Sequence, residues 1–231
     1  MKYMIPSILL FSSLVQAKTI RIAIIDTGYY MNDVISPFKP CDNFKYDRDF
    51  TKDKTMEALH PHGQNILHTV ADGLQNVDYC VINIKALTIG EFDQNAYFAA
   101  LNYVKTLDID IVNMSISGEQ RSRIESNSIK TMLKKNVKVI VAAGNRRKNL
   151  DKGCSEYPTC VDKRVISVGC LKEDNKTKCS YSNRGKRVST WEIGNNITAG
   201  GITMSGTSQA AAVYTNKLIK KLAKERIPAN E

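Results

Sequence analysis

The chain has 231 residues, 42% of them hydrophobic, enough to bury one core, so one domain is expected rather than several. Its formal net charge is +10, but the basic residues are spread along the chain, with only local clusters at Arg146-Arg147-Lys148 and near the C-terminus. No aromatic ladder accompanies them, so the charge reads as a solvated basic surface and not as a nucleic-acid binder.

Residues 1–17, MKYMIPSILLFSSLVQA, have a basic second residue, an apolar middle and a small-residue end. That is the pattern of a secretory signal peptide cleaved after Ala17, and its apolar stretch is short for a membrane span. Residues 18–231 are then one mature domain, secreted or periplasmic, with no membrane attachment and with net charge +9 once Lys2 is lost. All six cysteines follow residue 17, which suits disulfides in an oxidising compartment. Six cysteines allow fifteen pairings; proximity suggests Cys154 with Cys160 across a short loop and Cys170 with Cys179 around a lysine-rich turn, which leaves Cys41 and Cys80 for each other. No CxxC spacing supports a zinc site.

Along the mature chain, apolar runs alternate with helical patterns. TIRIAIID (19–26), CVINIKAL (80–87), IDIVNMSI (109–116), VKVIVAAG (137–144) and VISVG (165–169) are near-continuous apolar runs, as strands buried on both faces require. Between them, 63–72, 93–107 and 124–135 have helical spacing, and a last helix follows Ser208. This alternation predicts an α/β fold: a doubly wound, mainly parallel sheet with helices on both faces. Reactive groups in such sheets gather at the carboxyl ends of the strands.

The polar residues at those ends are few. The first strand ends in Asp26-Thr27-Gly28, also the triplet of aspartic proteases, but no second such triplet exists and the chain is not mostly β. In HPHGQNILHTVADG (60–73), Gly63 lets the chain turn, Gln64 through Ala71 read as a helix, and His62 sits at the start of that helix. The positive helix end should keep that imidazole from easy protonation, leaving a usable base. His60, His62 and His68 lack the spacing of a helical zinc site, so no metal is expected. The fourth strand ends in Ala143-Gly144-Asn145, where a side-chain amide can donate into the crevice. In MSGTSQAAA (204–212), small residues crowd around Ser208 at a helix start.

These four blocks, in this order and rough spacing, resemble the subtilisin-like serine proteases, the subtilases. Asp49-Phe50-Thr51, Asn113-Met114-Ser115 and Ser180-Tyr181-Ser182-Asn183 flank them and agree, and the likeness covers roughly residues 19–225. The resemblance implies a secreted serine endopeptidase acting on protein or peptide substrates, as a monomer and without a cofactor. It implies Ser208 as nucleophile, His62 as its general base within hydrogen-bond reach, Asp26 as the group orienting His62, and Asn145 as oxyanion donor. It further implies a substrate-pairing edge at Ser115, Ile116, Ser117 and Gly118, and a pocket near Gly144 and Arg146 that prefers acidic or polar side chains before the cut.

The chain also departs from that family. The cleavage site lies nine residues before Asp26, which leaves no room for a propeptide and suggests that help in folding comes from elsewhere. The short link from the His62 helix to Cys80 leaves no room for a calcium-binding insertion, and the disulfides are the expected substitute staple. Gln209 stands where methionine is common and Ala212 where proline is usual, which puts the geometry of the last helix in question. Two rival readings are a catalytically silent relative that only binds, and a basic module for anionic surfaces.

Overall fold

The computed structural model describes residues 18–30, 38–88, 90 and 92–226; residues 1–17, expected to be a signal peptide, lie outside these. Its centre is a seven-stranded sheet in the order β2-β3-β1-β4-β5-β6-β7, with every pairing parallel. The strands are β1 (Ile20–Asp26), β2 (Arg48–Asp49), β3 (Tyr79–Lys85), β4 (Ile111–Met114), β5 (Lys138–Ala142), β6 (Ile166–Leu171) and β7 (Thr190–Ile193). A separate antiparallel hairpin joins β8 (Ile197–Ala199) to β9 (Ile202–Met204).

Alternation along each strand builds two cores. Ala23 and Ile25 of β1 pack with Val112, Val139 and Val141 beneath α2 (Gln94–Val104) and α3 (Arg123–Lys134). Ile22 and Ile24 face the other way, with Ile111 and Ile140, beneath α1 (His62–Ala71) and α4 (Thr207–Arg226). Both faces of the sheet are therefore covered, which is why its strands are apolar at nearly every position.

The helix starts are fixed by side chains that accept their free N–H groups. Asp93 caps α2 and Ser122 caps α3. The last helix starts at Thr207, so Ser208 lies inside its first turn, and it runs unbroken to Arg226 with Ala212 in place of a proline. Three disulfides are formed: Cys41–Cys80 between a loop and β3, and two local bridges, Cys154–Cys160 and Cys170–Cys179.

Candidate active site

Asp26, the last residue of β1, is buried to 3% exposure. Its Oδ1 accepts from the Thr27 N–H at 2.8 Å and lies 2.6 Å from His62 Nδ1, while Oδ2 has no hydrogen-bond partner among the described residues. A carboxylate has no proton to give, so Nδ1 carries the proton and Nε2 keeps its lone pair.

His62 opens α1, whose N-cap position is Pro61, with no side-chain cap. Two neighbours take over that role. His60 Nδ1 accepts from the His62 N–H at 3.2 Å, and Thr27 Oγ1 accepts from the Gly63 N–H at 2.9 Å. Thr27 Oγ1 also donates to the His60 carbonyl at 3.1 Å, so the residue after Asp26 holds the turn that carries His62. A Cβ on Gly63 would stand 2.2 Å from the Gly28 carbonyl oxygen; only glycine allows this approach.

The effect on His62 differs from the sequence expectation. Burial lowers its proton affinity, but the charge of Asp26 and the hydrogen bond to it outweigh burial, and the pKa rises above 6.5. The helix end is the weaker influence because a buried carboxylate lies in direct contact. His60 shifts the opposite way: burial and the neighbouring His62 lower its pKa, so it stays neutral and keeps its acceptor nitrogen.

Ser208 is 8% exposed, and its hydroxyl donates to the Ser115 carbonyl at 3.2 Å. No hydrogen bond joins Ser208 to His62 among the described residues. One O–H can donate only once, and the free carbonyl beyond the end of β4 takes it. Gln209, directly after the serine, is buried and donates to Asn65 Oδ1 at 3.1 Å, which ties α4 to α1.

Asn145 is oriented by Thr207. Its Oδ1 accepts from the Thr207 N–H at 3.0 Å and the Thr207 hydroxyl at 2.9 Å, leaving Nδ2 free to donate outward. Asn183 braces the same loop from behind. Its Oδ1 accepts from the Arg146 and Lys148 N–H groups at 3.2 and 2.8 Å, and its Nδ2 donates to the Ala143 carbonyl at 2.8 Å. Gly144 has φ +99°, and a Cβ there would meet Asn183 Nδ2 at 2.4 Å. The SYSN motif drew attention to Asn183 in the sequence; nothing there announced Thr207 or Thr27 as positioning groups.

Two further sequence expectations need correction. Gly118 exchanges both backbone hydrogen bonds with Tyr157, at 2.8 and 2.7 Å, so its groups are taken and the edge open to a peptide ends at Ser117. The Arg146 guanidinium is not a free cation. It pairs at 2.5 Å with Glu156, a fully buried carboxylate that also lies 3.8 Å from Lys148 Nζ. His68 Nε2 contacts Gln64 Nε2 at 2.8 Å. No group of three or more His, Cys, Asp or Glu could hold a metal among the described residues.

A family model, described as the subtilase family, matches residues 17–225. The chain belongs to the subtilases. Relatives include the major intracellular serine protease of Bacillus subtilis (strain 168), 28% identical over 218 residues, covering 85% of this chain and 66% of the relative. The minor extracellular protease Epr of the same organism is 27% identical over 227 residues, covering 92% of this chain and 33% of Epr. Subtilisin-like protease 5 of Arthroderma benhamiae is 27% identical, covering 73% and 45%. This subtilase thus spans from one third to two thirds of the length of these relatives. Its fold matches a cold-adapted subtilisin-like serine proteinase (TM-score 0.70, 20% identity, 90% of this chain and 76% of the other) and a lanthipeptide protease (TM-score 0.73, 18% identity, 92% and 75%). No described helix of this subtilase is long and apolar enough to cross a membrane.

Proposed function

We propose that this subtilase is a secreted, monomeric serine endopeptidase that needs no cofactor and hydrolyses peptide bonds through an acyl-enzyme. The observation that carries the reading is the 2.6 Å contact between the buried Asp26 carboxylate and His62 Nδ1, which turns Nε2 into a base.

The Ser208 hydroxyl first leaves the Ser115 carbonyl by rotating about its Cα–Cβ bond, and gives its proton to His62 Nε2 as Oγ attacks the substrate carbonyl carbon. Asp26 stabilises the imidazolium that results. The oxygen of the tetrahedral intermediate receives hydrogen bonds from Asn145 Nδ2 and from the Ser208 N–H at the positive end of α4. His62 then passes the proton to the leaving amine, and the C–N bond breaks. In the second half, water loses a proton to His62 and attacks the acyl carbon, and His62 returns that proton to Ser208 Oγ as the acyl C–O bond breaks, releasing the carboxylic acid product. Extended substrate pairs along Ser115, Ile116 and Ser117. Because Glu156 already neutralises Arg146, the adjoining pocket favours a polar side chain before the cut over an acidic one.

A silent peptide-binding relative is the second reading, favoured by the resting bond from Ser208 to Ser115 and not to His62. Casein digestion by residues 18–231, beside Ser208→Ala, separates the two. Cleavage lost in Ser208→Ala supports the peptidase; a folded chain that cleaves nothing in either form removes it.

A further inference from the structure

Next to Ile116 and Ser117 opens a cavity of about 390 Å³, and Phe92, Tyr97 and Phe98 of its lining supply aromatic walls. At its inner side lies Glu125, a carboxylate on α3 with 5% exposure. The local sequence Ser122-Arg123-Ile124-Glu125 has an ordinary task for this residue. In S-x-x-E the glutamate reaches back to the N–H of the capping serine. Only half of that box is made. Ser122 Oγ accepts from the Ile124 and Glu125 N–H groups, at 3.2 and 3.4 Å, but the glutamate does not return the bond. Its Oε1 accepts instead from the Tyr97 hydroxyl at 2.8 Å, and its Oε2 is buried with no hydrogen-bond partner.

The other charges lining the cavity are accounted for. Glu119 is paired with Lys148, and Arg146 with Glu156. Glu125 is the charge left without a counter-ion among the described lining residues. Burial pushes its pKa up to about 7, and the Tyr97 hydrogen bond pulls the other way. A cation placed at Oε2 would hold the group ionised and supply the missing donor.

We propose that this cavity is a specificity subsite for a lysine or arginine side chain of the substrate, whose terminal N–H groups donate to Glu125 Oε2. The aliphatic stem would lie along Phe92, Tyr97 and Phe98, an environment that also favours a cation over the ring faces. Because the wall of the cavity is Ile116 and Ser117, while Ser208 sits at Ser115, the side chain that enters belongs to a residue a few positions from the cut. The proposal rests on the peptide-substrate reading above.

The test uses peptides that differ only in lysine against its uncharged near-isostere norleucine, scanned through the four residues on each side of the cut. In the first arm, kcat/KM is measured for the wild type and Glu125→Gln. Lysine should exceed norleucine by about 10- to 100-fold at one position, the range for a hydrogen bond to a buried charged group, and the ratio should collapse in Glu125→Gln. Being a ratio within each variant, it is unaffected by general loss of activity. Glu125→Asp, which withdraws the carboxylate by one methylene, should shift preference from lysine towards the longer arginine and serves if the glutamine variant does not fold. In the second arm, the same peptides are titrated into Ser208→Ala and binding is read by fluorescence anisotropy. Equal handling of lysine and norleucine in both arms overturns the subsite, as does a lysine preference that Glu125→Gln leaves intact. Lysine-selective binding without any turnover in the wild type would keep the subsite and remove the peptidase reading.

Discussion

Lys85 ends β3 with only 1% exposure, and replacing it with methionine is a sharp test of how the loop before His62 is held. Its ammonium donates to Asp53 Oδ2 at 3.0 Å and to the carbonyls of Thr55 and Glu57 at 2.8 and 2.9 Å, and lies 3.7 Å from Asp49 Oδ2. The lysine is thus a tethered cation around which residues 49–57 wrap. Methionine keeps the stem and removes the charge. Asp49 would remain satisfied, because the Thr51 N–H, Thr51 hydroxyl and Thr55 N–H still donate to it at 2.7, 2.7 and 2.6 Å. Asp53 is 32% exposed at its side chain and would recover water. The cost therefore falls on the Thr55 and Glu57 carbonyls, which lose their donor, and on the broken ion pairs. A loss of about 3–5 kcal/mol is expected, the usual range for removing one partner of a buried pair. At about 2–4 °C per kcal/mol for a chain of this size, melting should fall by roughly 6–20 °C. Urea unfolding followed by far-UV circular dichroism checks the free energy, and a thermal melt checks the shift. A change below about 1 kcal/mol would mean that water replaces the ammonium without loss, and the tethered-cation reading would fail.

Asn145→Ala should reduce kcat by about 10²–10³ with little change in KM, the loss found for the corresponding amide of subtilisin itself; steady-state kinetics on a chromogenic peptide decide it. For pH, a base whose folded pKa is raised above 6.5 works only once deprotonated, so kcat/KM should rise with pH through a value above 6.5. Asp26→Asn should move that limb to lower pH. The stability contribution has the opposite sign: it is fully present below 6.5 and is lost as pH rises through the folded value. Removing Cys41–Cys80, with a sequence separation of 39, should cost about 4 kcal/mol by loop-closure entropy, against about 2 for Cys154–Cys160 with a separation of 6. Denaturant titrations of the two double-serine variants would show the order, and a reversed order would contradict it.

The fold was legible where one physical pressure dominates. β1 reads IRIAIID because helices cover both faces of the sheet, and the spacing of Leu101 and Val104 marks the buried side of α2. The short outer elements carry no such signal. β2 is two residues long, β7 is half-buried with Trp191 stacked under Lys178, and the β8–β9 hairpin has three residues on each side. At the site, Asp26, His62, Asn145 and Ser208 stand in recognisable blocks. Their supports do not: Thr27 and Thr207 act through partners 36 and 62 residues away, the role of Glu156 shows only once it is buried against Arg146, and Lys85 looks like an ordinary strand end until the acidic loop folds over it. Arg146 shows the same limit in reverse, since its charge is visible in sequence and its buried counter-ion is not.

Active-site labelling tests the proposed chemistry most directly. A fluorophosphonate reacts with a serine only when a base is placed to take its proton, and intact and peptide mass spectrometry locates the adduct. The expected result is a single phosphonylated site at Ser208, lost in His62→Ala and slowed in Asp26→Asn. A folded wild-type chain that takes no label, or one labelled at Ser208 equally fast without His62, would contradict the transfer of the Ser208 proton to His62 and the stabilisation of the resulting imidazolium by Asp26.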